Sequence, residues 1–392
     1  MPTRVIHSFV RRTLGALLVV FLNALPAMAA DPIKVGFVGA LSGPSAKSGE
    51  AITRGLEVAI DEINAKGGVM DRKLVLVKRD DESNPAKGQI ATRELIQNEK
   101  VAAIFGGIDT PVAMAIVPIV NKEKVPYVGT WAAGTLITRN GANPNYVFRV
   151  SAVDVLVDRA LVNYAMKTHK ARKPGMMLIN NPWGESNEKG LVAALSETGL
   201  GNAGVEKFED KDIDMTPQLF RLKAGGADAI FLVANAGPGA QVIKSLERMN
   251  WNVPVISHWG ISGGRFPELA GAWSQKVAFI QTYSFFGPQS DVGKQKVSAL
   301  MKKYPDIKSA ADIVPPVGYA NAYDAMHLTA LAMKTGGGVA GDQIRDGFYK
   351  ISEHKGLIKT YKQPFSPSNH DALNENDYVM VKYQGGQIVP VK

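Results

Sequence analysis

Residues 33–81 read IKVGFVGALSGPSAKSGEAITRGLEVAIDEINAKGGVMDRKLVLVKRDD. The β-rich run Ile33–Leu41 breaks at Ser42-Gly43-Pro44. An amphipathic helix follows, because Ile52, Leu56, Ala59, Ile60 and Ile63 fall on one face at helical spacing. Ser48 is the expected N-cap, and Gly67-Gly68 supply a left-handed stop. A second strand begins at Leu74–Val77. The order strand, helix, strand predicts an α/β fold with a parallel sheet. In such sheets ligands bind beyond the carboxyl ends of the strands.

Upstream, Arg4, Arg11 and Arg12 precede the apolar run Leu14–Leu25 and then Pro26-Ala27-Met28-Ala29-Ala30. That pattern predicts a secretory signal peptide over residues 1–30, cleaved after Ala29 or Ala30. The run is too short to span a bilayer stably. The chain contains no Cys, which excludes a lipid-anchored cysteine, disulfides, thiolate metal sites and cysteine nucleophiles. About 360 residues remain after the signal, enough for two domains. The formal charge of +9 falls to about +6 without the three signal arginines. No Lys/Arg run is long enough to suggest nucleic acid. The balance fits a solvated surface or a mild bias towards anionic ligands.

Downstream, strand-like and helix-like segments keep alternating. Val101–Phe105 is a buried-type strand, followed by Gly106-Gly107-Ile108-Asp109-Thr110 and a helix opening at Pro111. Pro126–Gly129 and the edge strand Tyr146–Val150 complete a first series. A second series has a helix at Asp154–Thr168, a strand at Met176–Asn180, a loop at Asn181–Gly184 and a helix from Glu185. Ala229–Val233 and Val255–Ser257 are further strands, Gln289–Lys303 and Pro316–Thr335 further helices. Tyr378–Tyr383, the turn Gln384-Gly385-Gly386 and Gln387–Val391 form a closing hairpin.

Catalytic motifs are sparse. Gly260-Ile261-Ser262-Gly263-Gly264 matches the G-x-S-x-G elbow, with His327, His354 and His370 downstream. The elbow needs its Ser directly after a strand, and His258-Trp259-Gly260 intervenes. Gly36-Phe37-Val38-Gly39 lacks the third glycine of a dinucleotide fingerprint, and no HExxH, EF-hand or Walker motif occurs. The expectation is no enzyme and no cofactor.

Three pieces carry a resemblance: VGFVGALSGP (Val35–Pro44), DEINAKGGV (Asp61–Val69) and RDDESNPAKG (Arg79–Gly88). Together they resemble the periplasmic solute-binding proteins of ABC importers, in the branched-chain amino-acid-binding (Leu/Ile/Val) family. The resemblance implies a two-lobed type I periplasmic binding fold, each lobe a mainly parallel sheet flanked by helices, with the ligand cleft between them. It implies chain crossings near Ser151, Tyr283 and Lys355. Lobe 1 is then residues 31–151 plus 283–355, and lobe 2 residues 152–282 plus 356–392. The implied partners are a small-molecule ligand and an ABC permease in the inner membrane, the implied location the periplasm. A monomer is expected.

The resemblance also assigns roles at the strand exits. Thr110 takes the place of the hydroxyl that holds the ligand carboxylate, and it equally suits an N-cap for the helix at Pro111. Backbone groups of Trp131 and Ala133 assist at the next exit. Trp183 takes the place of a second-lobe aromatic wall. The departures are as informative. The acidic residue that pairs with the ligand ammonium, after the strand Val255–Ser257, is here Trp259. The aromatic after the strand Ala229–Val233 is Asn235, and the aromatic after the first turn is Ser48. A buried ammonium without a counter-charge costs several kcal/mol. The expected ligand is therefore a non-amino, aromatic carboxylate between Trp131, Trp183 and Trp259, with Tyr319 a further candidate near the hinge. The alternatives are an amino acid paired with another acid such as Glu185, a neutral amide or urea-like molecule, and a sensor rather than a transport role.

Overall fold

The structure, a computed structural model, describes residues 31–391. The export signal read in residues 1–30 lies outside the described residues.

The first sheet grows from the opening stretch. Strand β1 (Ile33–Gly39) is buried on both faces apart from the half-buried Lys34 at its start, as its mainly apolar run requires of an inner parallel strand. Helix α1 (Ala46–Ala65) buries Ile52, Leu56, Ala59, Ile60 and Ile63 together. Its cap is Ser45, not Ser48: Ser48 lies within the first turn, and its hydroxyl donates to Gly263 O at 3.2 Å instead. Gly67 and Gly68 take φ of 97° and 84°, the left-handed region that ends the helix. The chain then alternates through β2 (Leu74–Asp80), α2 (Pro85–Gln97), β3 (Ile104–Gly106), α3 (Thr110–Glu123), β4 (Tyr127–Gly129), α4 (Thr135–Thr138) and β5 (Val147–Arg149). The sheet order is β2-β1-β3-β4-β5, all parallel.

The second sheet collects α5 (Asp154–His169), β6 (Gly175–Ile179), α6 (Pro182–Glu197), β7 (Gly204–Phe208), α7 (Thr216–Ala224), β8 (Ile230–Val233), α8 (Ala236–Arg248) and β9 (Val255–Ser257). The short α9 (Phe266–Ala270) precedes β10 (Val277–Gln281). The order of this sheet is β14 (Gln387–Pro390), β13 (Val379–Gln384), β10, β9, β8, β6, β7. The closing hairpin, β13 and β14, joins it antiparallel beside β10.

Between these, α10 (Asp291–Lys303), α11 (Pro316–Gly336), α12 (Gly341–Tyr349) and the small hairpin β11 (Glu353–Lys355) and β12 (Thr360–Lys362) return to the first layer. Helix α11 is buried along almost its whole length, packed between α1 and α12. Its Asp324 carboxylate accepts from Leu357 N (2.6 Å), Ile358 N (2.9 Å) and the Tyr361 hydroxyl (2.7 Å), which fastens the small hairpin there. Ala372 N donates to Arg149 O at 2.9 Å. The chain thus stays with the first sheet through Ala372 and joins the second at Val379. The third passage lies in residues 373–379 rather than near Lys355, because Asp324 and Arg149 anchor the intervening segment.

Candidate functional site

Five loops at carboxyl ends of strands meet between the two sheets: those after β3, β4, β6, β8 and β9. An inner cavity there is lined by Ile108, Asp109, Thr110, Pro111, Trp131, Ala133, Asn181, Trp183, Asn235 and Trp259. It is nearly filled, with about 10 Å³ free, room for one water molecule. Outward it continues into a wider cleft of about 580 Å³ that Ser48, Ser83, Asp210 and Gly260 also line.

Six of the residues read from sequence converge on the inner cavity: Thr110, Trp131, Ala133, Trp183, Asn235 and Trp259. Ser48 lines the outer cleft, its hydroxyl held by Gly263 O. Tyr319 does not belong to either. Its ring, 1% exposed, faces a separate cavity between α1 and the segment after α10, beside Arg54 and Ile307. Glu185 sits on an outer groove of α6 with Glu188 and Lys207, outside the inner cavity.

Thr110 is the first residue of α3, with Asp109 in the cap position, so the helix opens one residue earlier than Pro111. The Thr110 hydroxyl accepts from Gly134 N at 3.2 Å, which ties the β3 exit to the loop after β4. A helix leaves its first N–H groups without intrahelical partners, and its dipole favours negative charge there. Trp183 is on the first turn of α6 rather than in a loop: Asn181 caps that turn by accepting from Trp183 N (2.9 Å) and Gly184 N (3.1 Å). The Trp183 indole N–H donates to Asp154 Oδ1 at 3.3 Å, and His258 Nε2 lies 3.0 Å from the same oxygen. This buried network fixes one aromatic wall. Trp259 opens a 3₁₀ turn (Trp259–Gly263) after β9. Its ring lies 5.4 Å from that of Trp131, which comes from the other sheet.

Sequence reasoning missed Ile108, Pro111, Asn181 and, above all, Asp109. Asp109 Oδ1 receives Asn235 Nδ2 at 3.4 Å across the cleft. Its Oδ2 is sealed from solvent and has no hydrogen-bond partner among the described residues. Burial raises its pKa. Asp81, behind it, is also raised, to about 7, by burial and by the Asp109 and Asp80 charges. The signal for both cap residues was present: Asn181 directly precedes Pro182, and Asp109 stands two residues before Pro111, each Pro in the first turn of its helix.

Ser262 is fully buried; its hydroxyl donates to Trp259 O (2.7 Å) and accepts from Gln281 Nε2 (3.1 Å). No His approaches it among the described residues, so the elbow motif is a coincidence of glycines.

The family model described as "Periplasmic binding protein" matches residues 32–387. The chain belongs to the periplasmic binding protein family. It resembles the Leu/Ile/Val-binding protein homolog 3 of Brucella melitensis at 23% identity, over 91% of this chain and 93% of that one. A Leu/Ile/Val-binding protein of Rhizobium johnstonii is 24% identical over 96% and 98% of the two chains. Among solved structures, a type 1 periplasmic binding protein from Bordetella pertussis superposes with a TM-score of 0.84 at 22% identity, covering 92% of this chain and all of that one. A Rhodopseudomonas palustris solute-binding protein in complex with 4-hydroxybenzoate gives 0.78 at 22% identity, with 92% and 96% covered. A Streptococcus pneumoniae branched-chain amino acid binding protein in complex with isoleucine gives 0.77 at 24%, with 92% and 99% covered. The fold is that of type I periplasmic binding proteins.

Proposed function

We propose that this protein, exported to the periplasm by its N-terminal signal, closes two lobes on a small aromatic carboxylate and delivers it to an ABC permease. The observation that carries the reading is the meeting of three indoles, Trp131, Trp183 and Trp259, in one cavity. Such rings offer a flat apolar body stacking and burial. Thr110 and the N-terminus of α3 take the carboxylate on the opposite side. The Trp131–Trp259 contact parts to admit the ring, and the three passages between the sheets absorb the rotation. The neighbour that holds 4-hydroxybenzoate supports the ligand class by fold alone.

One observation favours a second reading. The unpartnered Oδ2 of Asp109 offers a counter-charge to an ammonium, as an amino-acid ligand would need. A thermal-shift series on the mature protein separates the two. A ligand at 100 times its Kd adds about 2.7 kcal/mol of stability. Benzoate, 4-hydroxybenzoate and phenylpropenoates are expected to raise Tm, and leucine, isoleucine and valine to leave it unchanged. The reverse pattern would establish the amino-acid reading.

A further inference from the structure

We propose that Asp109 holds the ligand carboxylate as a protonated acid, so that each aromatic acid enters the closed site with one proton. The inference rests on the carboxylate reading above.

Asp109 is at the β3 exit, next to Thr110 and on the wall of both the inner cavity and the outer cleft. Beside it the Thr110 hydroxyl accepts from Gly134 N and keeps its own hydrogen for a ligand oxygen. A carboxylate arriving at the amino end of α3 therefore meets an acid. Among the described residues, neither Lys nor Arg lines the inner cavity.

The surrounding charges make matters worse for an ionised pair. From the loop after β2, Asp81 faces Asp109, and Glu82 and Ser83 line the outer cleft beside it. From the second lobe come Asp210 and the neutral Asn235. Lys211 lines only the outer cleft, beside Asp212. On its own helix Asp109 is followed by Thr110 and Pro111, which carry no charge.

Two carboxylates forced together out of water cannot both stay ionised; one takes a proton. The resulting O–H···O⁻ hydrogen bond is among the strong, short kinds. Oδ2 is the oxygen free to carry that proton, since it is sealed and has no partner while Oδ1 is turned to Asn235. Burial already pushes the Asp109 carboxyl upward. Opening of the cleft exposes Asp109 to water, which relieves the burial that raises its pKa and favours its ionised form. Closure over the ligand anion takes up one proton from solvent onto Oδ2, and opening returns it. The charge of anion plus proton is zero, which explains how a site without a cation accepts an acid.

The test is titration calorimetry of the full mature protein with 4-hydroxybenzoate and with benzoate, in buffers of different ionisation enthalpy, from pH 6 to 8.5. The wild type is expected to take up about one proton per ligand at pH 8, with Kd rising about tenfold per pH unit. Asp109→Asn, whose amide donates without titrating, is expected to remove both the uptake and the pH slope. It should then bind about tenfold or more tighter than wild type at pH 8.5. Asp81→Asn should leave the uptake in place. Binding of these acids by wild type without proton uptake overturns the inference and leaves the carboxylate reading standing. So does proton uptake that Asp81→Asn abolishes and Asp109→Asn does not. Loss of binding in Asp109→Asn by more than tenfold at every pH marks an ionised Asp109 and also overturns it. Failure of every carboxylate to bind removes both readings together.

Discussion

Arg149 Nε donates to Asp371 Oδ1 at 2.8 Å across 222 positions of sequence, with the guanidinium wholly buried. The same guanidinium donates to Gly134 O (2.9 Å) and to the Thr138 hydroxyl (2.8 Å). One side chain thus joins the end of β5, the loop that carries Trp131 and Ala133, and the segment leading into the third passage. Breaking a buried pair by removing one partner strands the other charge and typically costs about 3–5 kcal/mol. Arg149→Met is expected to lower unfolding stability by that amount, read from the midpoint of a urea titration. A loss under about 1 kcal/mol would mean that Arg139, 3.8 Å from Asp371, takes over the pairing.

Thr110 has two partners to lose. Thr110→Val removes the acceptor of Gly134 N, leaving that buried N–H unpaired at a cost of about 1–3 kcal/mol in stability. It also removes the hydroxyl assigned to the ligand, so calorimetry with 4-hydroxybenzoate should show binding weakened roughly ten- to a hundred-fold. Thr110→Ser should restore most of both. Unchanged affinity beside lowered stability would leave Thr110 as a tie between two loops and nothing more.

Asp81 sets a pH dependence. Its ordinary value is 3.8 and its folded value about 7, so the folded protein holds the proton more tightly than the unfolded chain does. That contribution is fully present below about pH 4, declines as pH rises towards 7, and is gone above it. Its size is on the order of 4 kcal/mol. Asp81→Asn keeps an acceptor for Ser83 N and cannot ionise. It is expected to flatten this limb and to be more stable than wild type at pH 8. Equal slopes for both proteins, measured by chemical denaturation between pH 4 and 8, would show that Asp81 is hydrated in solution.

The opening βαβ unit and the closing hairpin were legible because local chemistry fixes both. Apolar spacing defines the face of α1, Gly67-Gly68 its end, and Gln384-Gly385-Gly386 the turn of the hairpin. Strand β10 was not legible: Val277–Gln281 is a five-residue run that periodicity alone does not separate from a buried helix segment. Tyr319 was misplaced for a related reason. Helix α11 is apolar nearly all round, so its sequence gives no face to choose, and only packing on α1 turns Tyr319 away from the cleft. Asp109 escaped notice because its neighbours Asp81 and Asp210 are distant in sequence. A carboxylate cluster of that kind exists only once loops from two lobes meet.

Trp259 belongs at once to the core and to the wall of the site, and the two roles separate experimentally. It is 1% exposed, fixed by His258 Nδ1, which accepts from Trp259 N at 2.8 Å, and it touches Trp131 of the other lobe. Truncating a buried Trp to Ala typically costs about 3–5 kcal/mol of stability. Losing its apolar contact with a ligand ring costs a further 1–3 kcal/mol or so of binding. Trp259→Ala is therefore expected to lower both Tm and affinity, the latter by roughly tenfold or more. Trp259→Phe keeps an aromatic surface and should recover most of the affinity while regaining only part of the stability. Calorimetry on the folded fraction of each variant measures the first quantity and urea denaturation the second. If Trp259→Ala binds 4-hydroxybenzoate as tightly as wild type, the ring is packing for the lobe interface alone, and the aromatic body of the ligand rests on Trp131 and Trp183.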